Sequence, residues 1–263
     1  MTAFGGPNMS LCEAAAGCGD LPRLRHLRTA GETWDARTCM SAAEGGHTEC
    51  LAYAHQNDCP WGECTCTVAA REGHLDCLVY AREHGCPWDF LTCAAAANGG
   101  HLDCLTYAHD HGCPWDSSTC ANAAYQGNLD CLKYAHERGS PWDAGCCANA
   151  AYNGNLDCLE YAHESGCPWD VVTCELAMRF GYLDCFTYAH ERGCPPPVDV
   201  SDCIRRHLED RRASAAVVSR ACRAWLTRRR ADVALVGACR PQTPCRVTIG
   251  VTLFGGLVGR DET

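Results

Sequence analysis

The sequence predicts an all-α solenoid of about seven 27-residue repeats followed by a basic C-terminal helical segment. Two columns of aromatic residues carry the prediction. Trp34, Trp61, Trp88, Trp115, Trp142 and Trp169 stand 27 apart, and Tyr53, Tyr80, Tyr107, Tyr134, Tyr161 and Tyr188 keep the same step. No insertion or deletion interrupts the register from about Leu11 to Pro197. A fixed period of this size marks units that bury their apolar faces only against their neighbours. The chain therefore divides into an N-terminal extension (1–10), a repeat array (11–197) and a basic segment (198–263), with a helix expected over about 201–231 and an irregular tail beyond it.

Each unit reads as two short helices, best seen between Trp88 and Pro114. The first is expected over about Cys93 to Asn98, where the run Ala94 to Ala97 admits close approach of another backbone and Gly100 ends the helix. The second is expected over about His101 to His111. Its apolar residues Leu102, Leu105 and Ala108, with Cys104 four before Ala108, form one stripe toward the neighbouring helices. Asp103 sits in the first turn, where the helix dipole favours a carboxylate, and Gly112 followed by Pro114 stops the helix. Asp116 or Thr119 is available to cap the next helix, and the connector Cys-Pro-Trp-Asp contains no strand pattern.

The segment A-A-x-x-G-H-L-D-C-L, as in Ala69 to Leu78, resembles the helix-turn-helix of ankyrin repeats. The Gly-Cys-Pro-Trp-Asp connector stands where a unit of roughly 33 residues carries a longer finger, so that finger is about six residues shorter here. The T-P-L-H signature is absent, with Ser118-Thr119-Cys120-Ala121 in its place. The sequence is most similar to the short ankyrin-like repeats, rich in G-H-L-D and C-P-W-D, that giant DNA viruses of amoebae encode. The resemblance implies protein-protein binding without chemistry, and it implies that the connector and first-helix side is the binding face. It names no partner.

The array is expected to be capped at its ends. Gly19, Leu21, Leu24 and Leu27 keep the second-helix pattern in a worn first unit, and the run Pro195 to Pro197 cannot continue a helix. Charge changes at the same boundary. Residues 1–200 hold 10 Lys+Arg against 26 Asp+Glu, a net of −16, whereas residues 201–263 carry a net of +6. Phosphate binding requires clustered Lys and Arg, so the repeats are not expected to bind nucleic acid. In the basic segment Ile204, Leu208, Ala215, Val218, Cys222 and Trp225 recur at helical spacing. Three uses stay open for it: a cap that contacts the acidic repeats, a targeting or anionic-surface contact centred on Arg228 to Arg230, and a docking helix. No transmembrane segment is expected.

Of the 25 cysteines, 18 fall in three repeat columns. These are Cys12 to Cys174, Cys50 to Cys185, and Cys59, Cys86, Cys113, Cys167 and Cys194. The first two columns occupy ankyrin core positions, where a free cysteine packs as a small hydrophobe. Neighbours within one column lie about 8 to 10 Å apart, too far for a disulfide, which wants Cα atoms within about 7 Å. No C-x2-C pair suggests zinc, and Ser140 replaces the third column in one unit. No cofactor and no metal site is expected. Met1 to Ser10 lacks the charged start and apolar run of a secretory signal, so a reducing, intracellular setting follows: the host cytoplasm, or the nucleus through the Arg-rich segment. The histidine column His47, His74, His101, which becomes Asn128, Asn155 and Tyr182, is expected to bond a loop backbone. The column His55, Arg82, His109, His136, His163, His190 leaves two readings, a structural row and a pH-sensitive face.

No nucleophile, acid-base pair or phosphate loop stands outside the repeat pattern, and a catalytic site would not be copied once per unit, so an enzyme is not expected. Function is sought where the units differ. The two residues after Trp-Asp vary, among them Phe90-Leu91 and Val171-Val172, and so do those before the turn glycine, among them Tyr125-Gln126, Tyr152-Asn153 and Arg179-Phe180. Tyr125, Tyr152 and Phe180 run along one edge, with Phe90 and Val171-Val172 expected close by. They read either as interface anchors or as padding between units. The expected function is a non-catalytic protein-protein interaction module, a viral protein that binds a host or viral protein. A thiol- or metal-responsive protein and a structural virion component are the alternatives.

Overall fold

The computed structural model describes residues 9–195, and the expectations for 1–8, for Pro196 and for the basic segment fall outside the described residues. Among the described residues there are 14 helices and no strand, arranged as seven pairs. The pairs are α1 Leu11–Gly17 and α2 Leu21–Thr29, α3 Ala36–Glu44 and α4 Thr48–Gln56, α5 Glu63–Arg71 and α6 Leu75–Glu83, α7 Phe90–Gly99 and α8 Leu102–Asp110. They continue with α9 Ser117–Gln126 and α10 Leu129–Glu137, α11 Ala144–Asn153 and α12 Leu156–Glu164, and α13 Val171–Phe180 and α14 Leu183–Glu191. Among the described residues no helix is long and apolar enough to cross a membrane.

The first helix of each unit begins earlier than its alanine run suggests: α7 opens at Phe90 rather than Cys93. In five of the units the aspartate of Trp-Asp caps that earlier start. Asp89 is the N-cap, its carboxylate accepting the Leu91 N–H at 3.0 Å, and Asp35, Asp116, Asp143 and Asp170 do the same in their units. Capping decides between the two residues open for that role, because Thr119 is fully buried inside α9. Such a cap contributes about 1 kcal/mol relative to alanine. The glycine turns fall as expected, with Gly100 at φ +78° and Gly112 at φ +81°. Asp58 holds the corresponding left-handed position in the second unit at φ +61°.

Small side chains set the spacing of the units. Ala42-Ala43, Ala69-Ala70, Ala96-Ala97, Ala123-Ala124 and Ala150-Ala151 are fully buried where consecutive first helices meet, and these helices form the more closely packed row. The second helices bury Leu24, Leu51, Leu78, Leu105, Leu132, Leu159 and Phe186, and all but α2 add a cysteine and an alanine. Leu102 departs from the expected stripe. As the first residue of α8 it points out and is 37% exposed, so the buried face is Cys104, Leu105 and Ala108.

A ladder of rings joins the less closely packed second helices. The connector tryptophan of one unit lies flat on the histidine that precedes it, with centroids 3.7 Å apart for His55–Trp61 and 3.8 Å for His136–Trp142. It then meets the tyrosine of the next second helix edge-on, 6.4 Å away for Trp142–Tyr161. That tyrosine hydroxyl also pairs with Nδ1 of the same histidine, at 2.9 Å between His136 and Tyr161. Where the histidine is replaced, Arg28 lies over Trp34 and Arg82 over Trp88, at 4.4 and 4.3 Å. The column therefore selects a flat group that stacks on indole, which gives it a structural role. Burial lowers the pKa of His55, with help from the neighbouring His84.

Candidate protein-binding surface

The ten residues marked by repeat-to-repeat variation lie in two strips rather than one. Val171 opens α13 and Phe180 closes it, which separates them by about 13 Å along the helix axis at 1.5 Å per residue. The first strip, at the N-terminal ends of the first helices, holds Phe90 and Leu91 on α7 and Val171 and Val172 on α13. Phe90, Leu91 and Val172 are exposed. The two intervening units place Ser117-Ser118 and Ala144-Gly145 there, so the apolar residues do not form a continuous patch.

The second strip, at the C-terminal ends, is continuous. Tyr125 stacks on Tyr152 with centroids 5.7 Å apart, and Tyr152 meets Phe180 at 4.4 Å. They pack the seam between units and keep an outward surface, with Phe180 42% exposed. Phe180 stands one register position beyond the tyrosines, and Arg179, in their column, carries its guanidinium 5.8 Å from the Phe180 ring. Gln126 lies exposed beside Tyr125 and reaches Asn98 Oδ1 at 3.5 Å. Asn153 donates to the Tyr125 carbonyl, so its amide is engaged within the array.

This edge changes character along the array. In the early units it is charged: Arg71 lies 3.6 Å from Glu44 and 2.8 Å from Glu72. In the middle it is amide, with Asn98 donating to Asn122 at 3.4 Å. In the last three units it is aromatic. The sequence displayed these residues as variable; the order from charge to ring emerges once they share one edge.

Just beneath the edge, the second histidine column does what the turn pattern suggested. His74 Nε2 lies 3.0 Å from the Glu44 carbonyl, and Asn128 donates to the Ala97 and Asn98 carbonyls at 2.9 Å each. These are orphan carbonyls of the preceding unit's first helix, so imidazole and amide are equivalent here. The contact fixes the edge from unit to unit.

Among the described residues the cysteines are free thiols, buried except for Cys18 and Cys64. Third-column thiols donate to the N-cap carbonyl of their own unit's first helix, as Cys113 does to Asp89 O at 3.1 Å. Ser140 Oγ does the same to Asp116 O at 3.1 Å. The buried donor is what the position needs, which explains the exchange. Among the described residues no group of three or more His, Cys, Asp or Glu side chains is placed to hold a metal ion.

No protein-family model and no curated protein sequence matches the chain. Among solved structures it is similar to the human ASB11 ankyrin repeat domain, at a TM-score of 0.52 and 19% identity over 60% of this chain and 85% of that one. At that identity the likeness speaks for the fold alone, and with the seven helix pairs it makes this array an ankyrin-like helical solenoid.

Proposed function

We propose that the chain is a non-catalytic binding module that grips a protein through the aromatic end of its first-helix edge, centred on Tyr125, Tyr152 and Phe180 with Arg179 beside them. The observation that supports this reading is the half-exposed stack of rings across three consecutive units. Aromatic and arginine side chains on a rigid support are the residues that dominate protein interfaces. Tyrosine and phenylalanine held by their neighbours lose little rotamer freedom on binding. The partner is a host or viral protein, met inside the host cell. The viral setting rests on the G-H-L-D and C-P-W-D resemblance.

The test is capture from host-cell lysate with the full chain, beside Phe180→Ala and Tyr152→Ala chains whose circular dichroism matches the parent. A specific protein held by the parent and at least about tenfold more weakly by either variant, a loss of about 1.4 kcal/mol, is the expected result. Undiminished capture by both variants, or its loss in Phe90→Ser instead, would remove this edge from the interface.

A further inference from the structure

The seam between the first two units holds a cavity of about 70 Å³ at the first-helix edge, between α1 and α3. Small residues leave it there. Gly17 stands in the edge column where later units place Arg71, Asn98 and Tyr125. Gly45, facing it, lies so close that a Cβ there would fall 2.5 Å from the Gly17 carbonyl oxygen. Ala14 and Ser41 hold the position at which later units carry Val68, Asn122 and Asn149, two of which reach the Ser118 and Ala121 carbonyls with their amides. Three polar side chains line the cavity. Glu13 is 8% exposed, and one oxygen of its carboxylate accepts the Ser10 N–H at 3.3 Å, with no cation of the described residues in ion-pair range. Ser41 is 7% exposed, and its hydroxyl has no hydrogen-bond partner among the described residues. Glu44 completes the set. One seam further on, the chain itself supplies a cation, since Arg71 reaches back to Glu44 at 3.6 Å. At the first seam Gly17 occupies that column, and Arg37, within electrostatic reach of Glu13, is held by Asp35 at 3.1 Å.

We infer that this cavity is a socket for a lysine side chain of a protein partner, with the Glu13 and Glu44 carboxylates and the Ser41 hydroxyl accepting from its ammonium. A carboxylate buried with one oxygen unpaired is costly until a cation or a hydrogen-bond donor reaches it. An ammonium brings three donors, and two carboxylates and a hydroxyl line the space. Size selects lysine over arginine. At about 30 Å³ for a water-sized group, the cavity takes an ammonium and the methylene that bears it, and not the four heavy atoms of a guanidinium plane. Met9, Ala14 and Gly17 offer apolar wall to the stem, as suits a long side chain that buries its methylenes while its charge finds polar partners. The incoming lysine does at the first seam what Arg71 does at the second. The socket lies on the same first-helix edge as the aromatic stack. It rests on the reading of that edge as a protein-binding surface for the source of the lysine, and not for the chemistry of the cavity.

The experiment uses the full chain labelled with carbon-13 in its methionine methyl groups, with the Met9 signal assigned by Met9→Leu, and titrates it with N-acetyl-lysine methylamide. A saturable shift of the Met9 methyl is expected, severalfold weaker with the arginine analogue and absent with the lysine analogue acetylated at its side-chain nitrogen. Glu13→Gln keeps a side chain that closes the capping box but removes the charge, and must weaken binding at least about tenfold. Gly17→Ala must weaken it as well, because its Cβ would sit at ordinary contact distance, 3.4 Å, from Ser41 Cβ and narrow the cavity. Phe180→Ala must bind the probe as the parent does, so failure of the aromatic grip is read separately from failure of the socket. A Met9 signal that does not saturate, or unchanged binding in Glu13→Gln, would overturn the proposal. An equal response to the acetylated analogue would overturn it too, by removing the need for charge. Tighter binding of spermidine than of the lysine analogue would assign the cavity to a free polyamine and overturn its use by a protein partner.

Discussion

Glycine at the turn between the two helices of a unit carries a load that glycine at the end of the second helix does not, and Gly154 and Gly166 separate the two. Both have positive φ, +74° and +86°. A Cβ built on Gly154 would fall 2.2 Å from Cδ1 of Tyr182, the residue at the histidine position of the following unit; on Gly166 it would meet nothing within 4 Å. Alanine at a left-handed position costs about 1–2 kcal/mol, offset by about 0.4–1 kcal/mol from the less flexible unfolded chain. Gly166→Ala should therefore lose about 0.5–1.5 kcal/mol by those two terms. Gly154→Ala pays the same and must also displace a ring, which adds about 1–3 kcal/mol of overpacking. Urea unfolding of the full chain, followed by circular dichroism and by near-ultraviolet tyrosine signals, measures the difference. Equal losses in the two variants would show that Tyr182 does not cover Gly154, and the account of how consecutive units seat on one another would fail with it.

Asp58 is the one non-glycine residue at a left-handed position where six units carry glycine, and Asp58→Gly should raise stability by up to about 1 kcal/mol; a drop in the urea midpoint would show that the aspartate is retained for a favourable contact. In the ring ladder, His136→Ala should lose about 1–2 kcal/mol through the Trp142 stack and the Tyr161 hydrogen bond, whereas His136→Arg should recover most of the stacking, as Arg82 does over Trp88. An arginine variant no better than alanine would mean that the Tyr161 bond, not the flat surface, is what the column supplies. The depressed pKa of His55 means that the unfolded chain takes up this proton first as pH falls. Its contribution to stability is present above about pH 6.5 and declines as pH drops below it; unfolding midpoints of the parent and His55→Gln chains between pH 7.5 and 5 should converge toward acid, and parallel curves would contradict the direction.

The period, the helix pairs and their caps were legible because each is repeated and each rests on local chemistry: aspartate before a helix, glycine after it, alanine where two backbones meet. What the sequence concealed is whatever depends on the path of the connector. Asp35 and Cys59 lie 24 apart in the chain, and nothing in a 27-residue column draws the eye from one to the other; the turn after α4 brings the Cys59 thiol to the N-cap carbonyl of its own unit's first helix, 3.2 Å away. Ser140 was the available signal. A position that accepts Ser or Cys and nothing larger asks for a buried donor, and a buried donor implies a fixed acceptor close by. The interchange of histidine with Arg28 and Arg82 carried a similar message, since the two side chains share flatness more than charge.

The candidate surface was half legible for a related reason. Variation marks positions that the repeat does not constrain, and it marked both ends of the first helices alike. Only the helix length tells which of them adjoin. Phe90 and Val172 vary without touching each other, while Tyr125, Tyr152 and Phe180 vary and yet pack together. A run of rings that substitutes for ion pairs and amides along the same edge must satisfy its neighbours as well as face outward, so it is poorly explained by exposure alone. Seam packing is also met by amides, where Asn98 donates to Asn122. Placing aromatic rings there instead leaves Phe180 42% exposed, at a cost in apolar surface open to water that a partner would remove.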